Sequence, residues 1–291
     1  MKISRKTFLK QSGITAAALS LMPEILFAGT KQTKIGLQLY SLRDFLPKDV
    51  NSVLSKVKAS GYEEVETYGY SAKGGFWGLT MQQMAGILTD NGLVSPSGHY
   101  NTDELFARDN YDELKYAIDA AKTLNQQYLV IPYLQEGIRK TAADFKRIVE
   151  RINKAAELCQ AAGLKLAYHN HDFEFITVEG THLYKELLEG TGNNVVFELD
   201  LYWAVRAGFN PIELFQQHPK RFALVHVKDM DKQSPKLNTE IGSGSIDFKP
   251  IIKAAKANGV VHFYVEQENF KIDAFKSIGQ SATYMRQNLL I

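Results

Sequence analysis

The chain is expected to fold as a closed (β/α)8 TIM barrel of the α/β class, a single domain over residues 31–291. Three observations predict it. Strand-like and helix-like segments alternate eight times, at a spacing of roughly 30 residues, the length of one βαβ unit. The strand-like segments have near-continuous apolar middles, as in a parallel sheet covered on both faces. Several of them end in His, Asp, Glu or Lys, and the carboxyl ends of the strands are where such barrels hold their active sites. The 291 residues suit one large barrel or two ordinary domains. Eight repeats favour the closed barrel over an open doubly wound sheet. No Gly-x-Gly-x-x-Gly follows the first strand, which counts against a dinucleotide fold.

The elements follow in order. Residues 34–41 read as strand one. Residues 47–59 read as a helix, with Val50, Val53, Leu54 and Val57 at helical spacing, Pro47 near the start and Gly61 past the end. Strand two is 62–68, a helix over 80–91 is stopped by Gly92, and strand three is 93–99. The helix over 109–124 lines up Leu114, Ala117, Ile118, Ala121 and Leu124 on one stripe. Strand four is 128–133. The longest helix, 141–162, opens on an N-cap arrangement of Thr141 with Asp144 and ends at Gly163.

Strand five, 164–172, is the most informative stretch. It places His169 and His171 two apart, on one side of an extended chain. A helix at 182–189, strand six at 195–203 and a helix at 211–217 capped by Asn210 come next. Strand seven is 222–229. A helix over 246–258 ends at Gly259, strand eight is 260–266, and a last helix covers 273–287.

Hydrophobic residues make up 45% of the chain and charged residues 23%, the balance of a globular protein with a full core. The net charge is only +2 and no basic cluster interleaves with aromatics, so no nucleic-acid partner is expected. The one cysteine, Cys159, can form no internal disulfide and reads as a small buried apolar residue.

Residues 1–30 read as an export signal. Basic residues around Arg5-Lys6-Thr7-Phe8-Leu9-Lys10 precede a short apolar run at 14–22 and the small residues Ala28 and Gly29. Arg5-Lys6 resembles a twin-arginine signal with Lys in second place, so a periplasmic location is expected. The apolar run is short for a bilayer, and no membrane span is expected in the mature chain. A homo-oligomer is compatible with all of this.

The strand ends carry the chemistry. Strand two offers Glu66 and strand three His99. Strand five offers His169 and His171, and strand six Glu198 and Asp200. Strand seven offers His226, Lys228 and Asp229, and strand eight Glu266 and Glu268. One strand-end histidine is more often a hydrogen-bonded structural residue than a ligand. Four of the seven histidines fall at these ends beside carboxylates, which makes a metal centre the better reading. Imidazole with carboxylate suits one divalent ion such as Mn, Zn or Co, and carboxylate-rich mixtures admit Mg. No Cys-type zinc site can be built.

Five motifs carry a family resemblance: Tyr168-His169-Asn170-His171-Asp172-Phe173-Glu174, Glu198-Leu199-Asp200-Leu201-Tyr202-Trp203, His226-Val227-Lys228-Asp229, Gly242-Ser243-Gly244 and Val265-Glu266-Gln267. The sequence resembles, over about residues 34–290, the xylose isomerase-like TIM-barrel family of sugar phosphate isomerases and epimerases. The resemblance implies one divalent metal held from strands five to eight, by His169, Asp200, His226 and Glu266. Either His169 or His171 could serve from strand five, where the epimerases present Glu.

The resemblance further implies a sugar isomerase or epimerase that abstracts a proton next to a carbonyl through a metal-stabilised enediolate. Glu266, His171 and Lys228 are then the catalytic candidates. Glu66, His99, Trp203 and Glu240 are candidates for binding a small sugar or keto-sugar. A histidine in place of one of two symmetric carboxylates points also to an alternative, a 3-keto-glycoside lyase or hydratase working by β-elimination. A non-catalytic carbohydrate-binding barrel would not need the metal tetrad. The segment Glu240–Gly244 follows strand seven, where these barrels often bind phosphate, although two glycines alone also describe a simple loop.

Overall fold

The computed structural model describes residues 33–291; the expected export signal lies outside them. Eight parallel strands form the barrel: β1 Gly36–Gln38, β2 Glu64–Ser71, β3 Val94–Tyr100, β4 Tyr128–Ile131, β5 Lys165–His169, β6 Val195–Asp200, β7 Phe222–Val227 and β8 His262–Val265. Each pairs with its neighbour in chain order, and β1 pairs with both β2 and β8, which closes the sheet.

Alternation along each strand divides the core. Leu37, Val65, Leu129, Leu166, Phe197, Val225 and Phe263 face the surrounding helices in one large apolar layer. Tyr128, Val130, Ala167, Val196, Leu224 and Tyr264 fill a second, smaller apolar cluster. The inward positions nearer the carboxyl ends are polar and still buried: Gln38, Glu66, His169, Glu198, Asp200, His226 and Glu266. Burying so many polar groups is tolerable only because they satisfy one another or a ligand.

The helices are α1 Val50–Ala59, α2 Met81–Asp90, α3 Asp103–Arg108, α4 Asp112–Thr123, α5 Ala142–Ala161, α6 Leu183–Gly190, α7 Leu201–Arg206, α8 Pro211–Gln217, α9 Phe248–Ala257 and α10 Ala274–Tyr284. The Thr141–Asp144 capping box at the start of α5 is formed.

Several boundaries differ from expectation: strand one gives way after Gln38 to a 3-10 turn at Leu39–Leu42, and strand four ends at Ile131. Strand five stops at His169, and the chain turns through a 3-10 segment at Phe173–Phe175. Strand six stops at Asp200, because the Asp200 carboxylate accepts from the Trp203 N–H at 2.9 Å and caps α7. Residues 201–203, read as strand, are therefore helical. Asp229 leaves strand seven for a two-residue ladder with Asn238–Thr239. The extra helix α3 fills the loop after β3.

Candidate active site

The structure brings all four strand-end histidines together. Ring centroids lie 4.5 Å apart for His169 and His226, 5.0 Å for His99 and His169, and 5.1 Å for His169 and His171. Ligand atoms of His169, Asp200, His226 and Glu266 all fall within 4.8 Å of one another, and all four side chains are buried. These are the residues expected from strands five to eight. The geometry places His169, not His171, in that set.

The ring nitrogens explain how the set is aimed. His226 Nδ1 lies 3.2 Å from Glu266, while Nε2 lies 2.7 Å from Glu66 and 3.2 Å from Glu198. His169 Nδ1 lies 3.1 Å from Glu198, which leaves its Nε2 for a cation. A ligating imidazole that hands its other N–H to a carboxylate is held in one orientation and made more basic. Glu66 and Glu198 supply those carboxylates. Gln38 steadies Glu66 by donating at 2.7 Å, and His99 Nε2 donates to Glu198 at 2.7 Å.

The residues present fit a divalent cation. Asp200 spends Oδ1 on the α7 cap, and its Oδ2 is buried with no hydrogen-bond partner. An orphaned buried carboxylate oxygen costs free energy unless something positive meets it. Two imidazole nitrogens and two carboxylates suit Mn, Zn or Co and admit Mg.

Electrostatics separates the surrounding groups. Burial lowers the His171 pKa, the charges of His169 and Lys228 lower it further, and the ring is neutral. Its Nδ1 has no protein partner. The His171 backbone N–H donates to Glu174 at 2.8 Å, and the ring stacks on Phe173 at 5.6 Å, so the imidazole is held by its own turn. Glu174 also accepts from the Tyr168 hydroxyl at 2.8 Å, and burial pushes its pKa up to about 8. Lys228 behaves oppositely. Burial acts to lower its pKa, but Glu266, Asp200 and Glu268 outweigh this and raise it. Its ammonium bonds to Glu266 at 3.2 Å and to Glu268.

A cavity of about 390 Å³ opens above these groups, lined by Tyr40, His99, Tyr133, His171, Trp203, Glu266 and Glu268 among others. The size is that of a small-molecule pocket. His99 and Trp203, expected at the sugar, do line it. Glu66 does not: it is wholly buried, and its carboxylate serves His226, His99 and Gln38. Glu240 does not either, since its carboxylate accepts from Ser277 at 2.7 Å and from Thr239 at 2.8 Å. Glu198 and Glu268 gain roles that the sequence reading did not assign. Each lies two residues from an expected ligand, and that spacing was the available signal.

The glycine segment after strand seven is not free to cradle a phosphate. The Asp229 carboxylate accepts from the backbone N–H groups of Gly242 and Gly244, both at 2.9 Å, of Met230 at 2.8 Å and of Ile246 at 3.2 Å. A Cβ on Gly244 would strike the Asp229 carboxylate and the Met230 carbonyl. Gly244→Ala should therefore lower stability by about 1–3 kcal/mol, measured by urea unfolding; an unchanged midpoint would show that the latch yields freely.

No helix among the described residues is long and apolar enough to cross a membrane. A sequence profile described as "Xylose isomerase-like TIM barrel" matches residues 54–288. An inosose dehydratase from Geobacillus kaustophilus (strain HTA426) is 32% identical over 130 residues, 39% of this chain and 42% of that protein. Such matches span about half the length of the curated relatives or less.

Among solved structures, a sugar phosphate isomerase/epimerase from Parabacteroides distasonis ATCC 8503 superposes with a TM-score of 0.80 at 30% identity, over 91% of this chain and 97% of its own. The IOLI protein, solved with a bound zinc atom, superposes at 0.70 with 16% identity, over 89% of this chain and 99% of its own, a likeness of fold. The profile covers most of the closed eight-stranded barrel, and the chain belongs to the xylose isomerase-like TIM barrel family.

Proposed function

We propose that the protein is a divalent-cation-dependent enzyme that removes the proton next to a carbonyl of a keto-sugar and expels the oxygen substituent one carbon further on. That is a carbon–oxygen lyase. The observation that carries the reading is the inequality of the two groups flanking Trp203. His171, 5.5 Å from the Trp203 ring, is a neutral imidazole with a free nitrogen. Lys228, 5.2 Å from the same ring, is an ammonium locked between Glu266 and Glu268. The symmetric two-carboxylate exchange of the epimerases lacks one of its carboxylates here, where strand five presents histidines. One acceptor and one donor suit elimination, which takes a proton at one carbon and gives one to the departing oxygen.

In this reading His169, Asp200, His226 and Glu266 hold the cation. When bound, it supplies a Lewis acid for the carbonyl and its neighbouring hydroxyl. His171 accepts the carbon-bound proton. The Lys228–Glu268 pair holds the proton for the leaving oxygen, and its charge favours negative charge developing nearby. Trp203 and Tyr40 offer flat faces to the sugar ring. The part-length matches to inosose dehydratases support elimination. Isomerisation is the second reading, supported by the 30% identical isomerase/epimerase structure. We also propose a periplasmic location, on the strength of residues 1–30 alone.

Incubation in D₂O with an inosose and with a methyl 3-keto-glucoside tests the choice. An unsaturated ketone with released water or methanol supports elimination. Deuterium gained by an otherwise intact sugar would replace it with isomerisation. His171→Gln should lower kcat by about 10²–10³-fold while cation content, read by elemental analysis, stays at the wild-type level. A variant that turns over normally would move the base elsewhere.

A further inference from the structure

We propose that the natural leaving group bears an aromatic ring, and that the ring lies in a second cleft adjoining the cation cavity across Glu268. This rests on the elimination reading above. A cleft of about 620 Å³ runs beside the cavity, with Phe45, Leu237, Phe270 and Ile272 in its lining. Glu268 lines both spaces. Phe45, Leu237 and Ile272 are exposed at 37%, 38% and 44%, so three apolar side chains stand open to solvent at the edge of the site, among polar neighbours such as Asp44 and Asn269. Apolar side chains standing beside a few polar groups at the rim of a site give an apolar part of a ligand a place to lie.

The ridge between the two spaces is built in advance. Asn238 Oδ1 accepts from the backbone N–H groups of Glu268 at 2.8 Å and Asn269 at 2.9 Å. Arg43 donates to the Glu268 carbonyl at 3.1 Å, and the Gln267 N–H donates to Ser41 Oγ at 3.0 Å. The Glu268 side chain on this ridge holds Lys228. A glycoside lying across it would put its sugar over the cation ligands and its leaving group among the apolar side chains. The bond to be broken would then pass over the Lys228–Glu268 pair.

A ring suits the cleft because it can pack against Phe45, Leu237, Phe270 and Ile272, while part of the polar rim is engaged within the protein. Asn238 is used as above, and Asn269 Oδ1 accepts from the Asn238 N–H at 3.2 Å. Lys271 is paired with Asp231 at 2.5 Å, and Asp273 caps α10. Asp44, Asn238 and Asn269 also border the cleft and suit a polar substituent on the ring, whereas a second sugar would press hydroxyls, which are costly to desolvate, against the apolar side chains. The step balances without a further reactant. The proton α to the carbonyl goes to the base, a carbon–carbon double bond forms and the carbon–oxygen bond breaks. The departing oxygen takes a proton and leaves as a free alcohol.

Benzyl and methyl 3-keto-glucosides test this, since their leaving alcohols have similar acidity and a rate difference reports the ring's binding. The metal-loaded protein should favour the benzyl compound in kcat/KM by about tenfold or more, the effect of burying one ring. Phe45→Ala with Ile272→Ala should cut that ratio about tenfold. Equal kcat/KM for the two compounds, or a preference for a 3-keto-disaccharide over the benzyl compound, would overturn the proposal. Should neither glucoside be eliminated, the elimination reading fails by itself, and calorimetry with benzyl alcohol decides the cleft. Binding that the double variant abolishes supports it, and no binding to the wild type ends it.

Discussion

Glu266→Gln is expected to abolish turnover, a loss of about 10³-fold or more. The substitution keeps the shape of the side chain and removes its charge, and that charge faces two ways. It points at the cation site with His169, Asp200 and His226, and it holds the Lys228 ammonium at 3.2 Å. Burial acts to raise the Glu266 pKa, but Lys228 and then His226 outweigh it and hold the carboxyl ionised, well below its ordinary value. An amide offers the cation a weaker oxygen and leaves Lys228 with Glu268 alone. Product release and cation content, measured on the same preparation, should fall together. Unimpaired turnover would remove Glu266 from the mechanism.

His226→Ala should lose most of the bound cation and destabilise the fold by about 3–5 kcal/mol, the cost of removing one partner from a buried charged cluster. His226 is wholly buried and touches Glu66, Glu198 and Glu266 at 2.7–3.2 Å. Without the imidazole, those carboxylates keep only His99, His169, Gln38 and Lys228 as partners. Elemental analysis reads the first effect and urea unfolding the second. A variant as stable as the wild type but empty of metal would assign His226 to ligation alone. One that keeps its metal would dissolve the proposed tetrad.

Both predictions begin from pairs two residues apart: Glu198 and Asp200, His226 and Lys228, Glu266 and Glu268. Alternation in an extended chain puts such pairs on one side, so their shared direction was legible. What each member meets was not. Asp200 and Glu266 cluster with His169 and His226, whereas Glu198 clusters with His99, His169 and His226, and nothing in the local residues separates them.

Glu66 and Glu240 make the same point. Each stands near the end or just past the end of a strand segment, as an active-site residue does. Barrel closure turns Glu66 toward His226, and the packing of α10 gives Glu240 to Ser277. Likewise Gly242 and Gly244 fit either a phosphate site or a simple loop by sequence, and only the fold shows Asp229, more than ten residues earlier in the chain, occupying their N–H groups.

From the sequence by itself come the eight βα repeats, the barrel and the convergence of chemistry at the strand ends. Periodicity, caps and glycine stops are short-range, and each depends only on a residue and its near neighbours. Tertiary structure alone decided that His169 clusters with Asp200, His226 and Glu266 while His171 does not, that Glu66 and Glu198 meet imidazoles, and that Lys228 is held by two carboxylates. Those distances run between segments that meet only when β1 pairs with both β2 and β8, and that long-range register carries no local signature in the chain.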